Sequence, residues 1–277
     1  MSENVVATND ERRAARRKQA SVPFAGGQMS SVLPPLLTFA IVIGLWEAAV
    51  RMAGIPLYLL PAPSQIAAAF LERPGYLLGI GWATFQNALL GSIIGCGLGC
   101  LVAALCVRWR VLADGLVPLS IGASAVPIIA LSPLLGIWLG SISPNSKIAV
   151  VAVMTFFPTL VNVFRGLTAP RADAIQLLRS YAARERDIFL KLRIPAALPF
   201  FFNALRVCAT LAMIGAVVSE FFGGPQNALG VYIKTQAGIL RTQSAWSAIV
   251  VACVYGLALY LAVLFAERIA MPWRRGR

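Results

Sequence analysis

Histidine is absent from all 277 residues, and its absence excludes an imidazole triad, a histidine metal site and a histidine general base. Cysteine is sparse: Cys96, Cys100, Cys106, Cys208 and Cys253 all lie in apolar stretches, with neither a CxxC pair nor a set of zinc ligands. They read as buried, unpaired thiols. Charge is scarce as well, at 13 % of residues against roughly a quarter in soluble domains. Acids are fewest, with 11 Asp and Glu facing 24 Lys and Arg, a formal charge of +13. What fills the chain instead is apolar: 58 % of it. A secreted enzyme and a disordered chain both fit that balance poorly.

The apolar residues gather in blocks long enough to cross a hydrocarbon core of about 30 Å, which takes roughly 20 helical residues. Six spans are expected, near 33–50, 85–107, 113–139, 146–166, 200–222 and 245–268, in an all-α polytopic membrane protein. Residues 1–30 read as a disordered basic tail, with Arg12, Arg13, Arg16, Arg17 and Lys18 ahead of Gly26-Gly27. The first apolar run is longer than a signal-peptide core and lacks a small-residue cleavage site, so it counts as a span. The domain proper covers 31–273, and 274–277 form a second short basic tail.

Placement of the cations decides what the positive charge means. With an even number of spans both termini share one side. Arg51, Arg73, Lys147, Lys234 and Arg241 fall on the other, leaving nineteen of the 24 cations on the side of the termini. By the positive-inside rule that side is cytoplasmic. The basicity is thereby used for topology, and nucleic acid is not expected as a partner: no aromatic residues interleave with the basic ones and no RNP or zinc-finger pattern occurs.

Within the spans, Gly91, Gly95 and Gly99 recur every four residues, a small-residue stripe that lets another helix approach closely. The run Gly95, Gly97, Gly99 is no phosphate loop, because it lacks the strand and the Lys of one. Pro127 and Pro133 in span three and Pro158 in span four remove backbone donors and favour kinks. Glu47 and Arg51 are spaced to pair on one helix face, and Arg206 is placed to snorkel. Between spans one and two, Pro61-Ala62-Pro63-Ser64 leads into Ile66, Ala67, Phe70 and Leu71, an amphipathic surface helix with Ser64 as its cap.

The stretch 167–199 is unlike the other loops. Ala174, Ile175, Leu178, Tyr181 and Ala182 share one helical face, with Arg171, Arg179 and Arg184 around it. A second short helix groups Ile188, Phe189 and Leu192 before Pro195 stops it. Such a pair needs a cover for its apolar faces, either lipid headgroups or a cytoplasmic partner.

This loop resembles the EAA loop of permease subunits of binding-protein-dependent ABC importers. The likeness rests on Phe189, Lys191 and the run Pro195-Ala-Ala-Leu-Pro199, while Gln176-Leu177-Leu178 stands at the Glu-Ala-Ala positions and Ala182 where the family has Gly. The likeness spans about 33–273 and is greatest to the nitrate, sulfonate and taurine branch, through Leu45-Trp46-Glu47, Leu60-Pro-Ala-Pro-Ser64, Val126-Pro127, Ser132-Pro133-Leu134, Phe157-Pro158 and Val218-Ser-Glu-Phe-Phe-Gly223. It implies the type I importer permease fold in a bacterial inner membrane, both termini cytoplasmic. It also implies a second permease copy as homodimer partner, ATPase subunits below and a solute-binding protein outside. The solute would be of the nitrate, sulfonate, taurine or pyrimidine class. Residues 171–193 would couple to the ATPase, chiefly through Ala174, Ile175, Gln176, Leu177, Leu178, Tyr181, Ala182, Ala183, Phe189, Lys191 and Pro195. If the family Gly supplies a positive φ, Ala182 bears strain or the turn is built differently.

The chain has no GxxxxGK[ST] motif, so it cannot supply ATP hydrolysis itself. The resemblance implies a transport subunit, not an enzyme, that binds no cofactor itself, with ATP and magnesium used by the partner. For the pathway, Ser124, Pro127, Ser132, Thr155, Asn162 and Glu220 in spans three to five offer hydrogen bonds with little fixed charge. Glu220, near the end of span five, lines the path or ties the span end. Competing readings are a six-span anchor that recruits a cytoplasmic protein and an ion-coupled carrier; the latter would need an internal repeat and intramembrane charges beyond Glu220.

Overall fold

A computed structural model describes residues 28–124 and 126–272; the tail expected over 1–30, up to residue 27, and the basic tail 274–277 lie outside them. The chain divides into two units, Met1–Ala53 and Gly54–Arg277. The first holds helix α1 (Gln28–Met52), in which Leu33–Met52 is long and apolar enough to cross a membrane. Glu47 and Arg51 form the i,i+4 ion pair that their spacing predicts.

The second unit has helices and no strand among its described residues: α2 (Pro63–Glu72), α3 (Pro74–Arg108), α4 (Arg110–Ala123), α5 (Ile128–Leu139), α6 (Pro144–Thr168), α7 (Ala172–Ser180), α8 (Glu185–Ile188), α9 (Ile194–Phe221), α10 (Leu229–Gly238) and α11 (Thr242–Ala270). A π-helical turn, Phe189–Arg193, joins α8 to α9. Helices α3, α6 and α11, and the continuous run Glu185–Phe221, are each long and apolar enough to span. One end of this bundle carries the 167–199 loop and the last turn of α11; the far end carries α2 and α10.

Size is arranged inside out. On α3 the small residues Ala88, Gly91, Gly95, Gly99 and Ala103 are buried, while Leu90, Ile93, Ile94, Leu98 and Leu101 face outward. Lipid chains are as apolar as leucine, so burying large side chains gains little in a bilayer and close backbone contact gains more. The stripe meets α6. A Cβ on Gly95 would lie 2.2 Å from the Ala152 carbonyl oxygen and from Thr155 Oγ1, and one on Gly91 2.6 Å from Val151 Cβ. Helix α6 repeats the device against α9, where a Cβ on Gly166 would lie 2.8 Å from Ala197 Cα.

Four local expectations are corrected. The single span expected over 113–139 is two helices, α4 and α5, broken at 124–127. Pro127 supplies no amide proton and holds Val126 away from helical geometry; the Pro127 carbonyl then starts α5 by accepting from Ala130 N–H at 2.8 Å. Pro195 does not stop a helix but sits in the first turn of α9. The π turn makes this possible: Ile194 N–H bonds back to the Phe189 carbonyl, five residues earlier, which makes room for the proline ring. In α2 the N-cap is Ala62, whose N–H donates to Gln65 Oε1 at 2.8 Å, and not Ser64. Its inward face is Ile66, Ala69 and Phe70, while Leu71 is exposed. Beyond these, Arg206, expected to snorkel, reaches the last turn of α11, where it pairs with the Glu267 carboxylate at 2.6 Å.

Gly95→Val should destabilise the bundle by about 3 kcal/mol, because its nearest obstacle is a backbone carbonyl that cannot step aside. Gly97→Ala, whose Cβ meets nothing within 4 Å, should be neutral. Thermal unfolding of the detergent-purified proteins, followed by size-exclusion recovery, measures both.

Candidate functional site

Two places on this scaffold carry candidate residues. At the loop end, α7 is amphipathic and has no buried residue. Ala174, Ile175, Leu178 and Ala183 are half-buried, Gln176 is exposed, and Leu177 and Tyr181 are 58 % and 78 % exposed. The mounting beneath this face is fixed. Ile188 is fully buried, and Phe189 packs on Ala103, Leu160, Val163, Leu167 and Ala197. Arg193 Nη1 donates to the Leu167 carbonyl at 3.1 Å, joining the start of α9 to the end of α6. Lys191 pairs with Asp187 at 3.4 Å and Arg179 with Glu185 at 2.8 Å.

The corner between α7 and α8 is a Schellman turn. Ala182 N–H donates to the Arg179 carbonyl (2.9 Å) and Ala183 N–H to the Leu178 carbonyl (3.0 Å). This geometry puts Ala182 at φ 55°, the left-handed region that glycine enters freely and alanine enters at about 1–2 kcal/mol. Of the two alternatives the sequence left, strained alanine is the one realised. The apolar face predicted to run through Tyr181 and Ala182 ends with α7 at Ser180, and those two residues project from the turn.

The second place is polar and lies at the far end. Helix α10 starts at Ala228, whose side chain cannot cap it. Its first amide protons are satisfied by other helices: Leu229 N–H donates to Thr84 Oγ1 (3.1 Å) and Gly230 N–H to Glu220 Oε2 (2.7 Å), and Thr84 Oγ1 donates to the same Oε2 (3.1 Å). A carboxylate also complements the positive end of the helix dipole. The approach is tight, since a Cβ on Gly230 would lie 2.3 Å from the Val217 carbonyl oxygen. Glu220 is 1 % exposed, and its Oε1 is buried with no partner among the described residues. The function this geometry supports for Glu220 is tying the span end.

Beside it, Ser132, Ser141, Lys147 and Ser219 line a cavity of about 220 Å³ together with Pro133 and Gly223. Lys147 is 3 % exposed and donates to the Ser141 carbonyl and to Ser146 Oγ (3.0 Å). Ser132 Oγ reaches the Ser219 carbonyl at 3.4 Å. Lys147 makes no direct ion pair with Glu220 among the described residues. Reading the sequence by side placed Lys147 only among the outer cations; its position three residues after Pro144, at the start of a span, was the available signal.

Of the six residues suggested for a pathway, the structure brings Ser132 to this cavity and Glu220 next to it. Ser124 and Pro127 lie at the break between α4 and α5. Thr155 is buried against Gly95 and bonds the Val151 carbonyl (2.9 Å), and Asn162 bonds the Pro158 carbonyl (2.8 Å).

Residues 91–275, which include α4 to α11 and the loop, match the family of binding-protein-dependent transport system inner membrane components. The chain belongs to that family. It is 31 % identical to the formylaminopyrimidine transport permease protein ThiX of Halalkalibacterium halodurans, over 88 % of this chain and 96 % of that protein. It is 28 % identical to the riboflavin transport system permease protein RibX of Chloroflexus aurantiacus, over 86 % and 88 %. Identity is also 28 % to the putative aliphatic sulfonates transport permease protein SsuC of Bacillus subtilis, over 96 % and 94 %. The protein is therefore a multi-pass permease subunit of an ABC importer with the type I permease fold, a transport component and not itself an enzyme. Family membership decides against the anchor reading.

Ala182→Gly should stabilise the loop by about 1 kcal/mol and slow amide exchange at Ala182 and Ala183. At the far end, Glu220→Gln keeps an acceptor for Gly230 and should be tolerated. Glu220→Ala leaves buried donors unmet and should cost about 2 kcal/mol, read as a lower unfolding temperature in detergent.

Proposed function

We propose that this permease, with a second copy of itself, forms the inner-membrane pathway for a small solute delivered by a solute-binding protein, and that α7 docks into a separate ATPase that uses ATP and magnesium. One observation carries the coupling assignment. Leu177 of α7 and Tyr181 of the turn after it face outward from a corner held by the Schellman turn and by the Arg193 to Leu167 bond. An apolar face on a stiff mount transmits a push, whereas a slack loop would absorb it.

Both termini and the loop lie on the cytoplasmic side in this reading, as the cation bias requires. The solute belongs to the nitrate, sulfonate, taurine or pyrimidine-like class. The relatives named for a formylaminopyrimidine and for aliphatic sulfonates support the pyrimidine and sulfonate parts of that range, and the far-end cavity, with its serines and one lysine, supports a solute that accepts hydrogen bonds.

Leu178→Arg places a charge on the docking face at a half-buried position, so the fold should tolerate it. Co-purification of the ATPase and solute uptake in proteoliposomes should each fall about tenfold or more, a loss of about 1.4 kcal/mol. Retention of both at the level of the unaltered protein removes α7 as the coupling element.

A further inference from the structure

A cavity of about 360 Å³ opens at the loop end, where α3 ends and α9 begins. Three arginines line it: Arg108, the last residue of α3, Arg186 in α8 and Arg193 in the π turn. None of the three has an acid within ion-pair distance among the described residues. Glu185 also lines the cavity, but its carboxylate is held by Arg179 at 2.8 Å. Arg193 spends one N–H on the Leu167 carbonyl and keeps others. The remaining wall is apolar, formed by Ala104, Val107 and Phe189.

Three unpaired cations around one cavity repel one another unless an anion sits among them. The apolar wall says what kind of anion. Inorganic phosphate has no use for Ala104, Val107 and Phe189, whereas a phospholipid offers a phosphate to the guanidiniums and the start of its acyl chains to that wall. The depth agrees. The cavity lies where two apolar spans run out into charged residues, and Trp109, next to Arg108, is 52 % exposed, as aromatic residues are at the headgroup level. Basic pockets between spans at that level suit anionic headgroups, and guanidinium binds phosphate through paired donors.

We propose that this cavity is a binding site for an anionic phospholipid, whose phosphate bridges Arg108 of α3 to Arg186 and Arg193 at the root of the 167–199 loop. The lipid thereby ties the loop to the end of α3, a span on which Phe189 of the loop's π turn packs. The π turn contributes by placing Phe189 and Arg193 on the same wall.

The test uses the full-length permease purified in detergent with an equal mixture of phosphatidylglycerol and phosphatidylcholine, read by native mass spectrometry. The unaltered protein should retain phosphatidylglycerol in preference. Arg108→Gln and Arg186→Gln should each lower that preference about fivefold, and Arg108→Lys with Arg186→Lys should keep most of it, which separates lost charge from lost fold. Equal phosphatidylglycerol retention by the unaltered protein and the double Gln variant overturns the proposal. So does full displacement of the lipid by millimolar inorganic phosphate, which makes this a free-anion site. A double Gln variant that keeps its lipid but loses the ATPase overturns it as well, because the arginines then face the partner protein.

Discussion

Helices α3 and α6 touch backbone to backbone at Gly95, and the bundle is built outward from that contact. In a bilayer, large apolar side chains gain nothing by leaving lipid for protein, so the association of spans rests on van der Waals contact at short range and on hydrogen bonds between helices. Gly91, Gly95 and Gly99 make the short range available on α3, and Gly166 does so between α6 and α9. With α6 held between its two neighbours, the ends of these helices are fixed in space. Both candidate places, the loop at one end and the polar cluster at the other, are assembled on those ends.

At the far end, hydrogen bonds take over from packing. The first amides of α10 have no cap of their own and would be stranded if α10 were elsewhere. Thr84 and Glu220 satisfy them from α3 and α9, and Lys234 adds a bond to the Phe221 carbonyl at 2.8 Å. Three elements are thereby joined through one carboxylate and one hydroxyl. At the loop end, Arg193 and the Schellman turn do the equivalent work for α7. The bundle therefore holds both of its ends stiffly, as the proposed passage of motion between them would need.

Much of this was legible in sequence because its cause is local or periodic. The four-residue glycine repeat foretold a packing stripe, the pairing of Glu47 with Arg51 followed from their spacing, and Pro127 marked a weak point in span three. The family likeness rested on the loop's proline-rich end. Where reading failed, a tertiary or non-α detail had overridden a sound local rule. Proline usually stops a helix, yet a π turn carried the chain through Pro195. Ser64 is a good cap by type, yet Gln65 and Ala62 took that role. The inward face of α2 turned by one position, because the surface it packs on, and not its own periodicity, chose between Ala69 and Leu71.

Composition and order along the chain determined that this is an all-helical membrane protein, how its spans are spaced, which loop is unusual and which family it belongs to. These follow from hydropathy, charge and short motifs, which are properties of neighbours in sequence. Tertiary structure alone decided that Glu220 caps a helix ten residues away, that Arg206 meets Glu267, that Lys147 is buried beside a small polar cavity, and that three arginines from three segments share another. Each of these depends on which helix faces come together, and that is set by glycine contacts between residues far apart in the chain, such as Gly95 with Ala152 and Gly166 with Ala197.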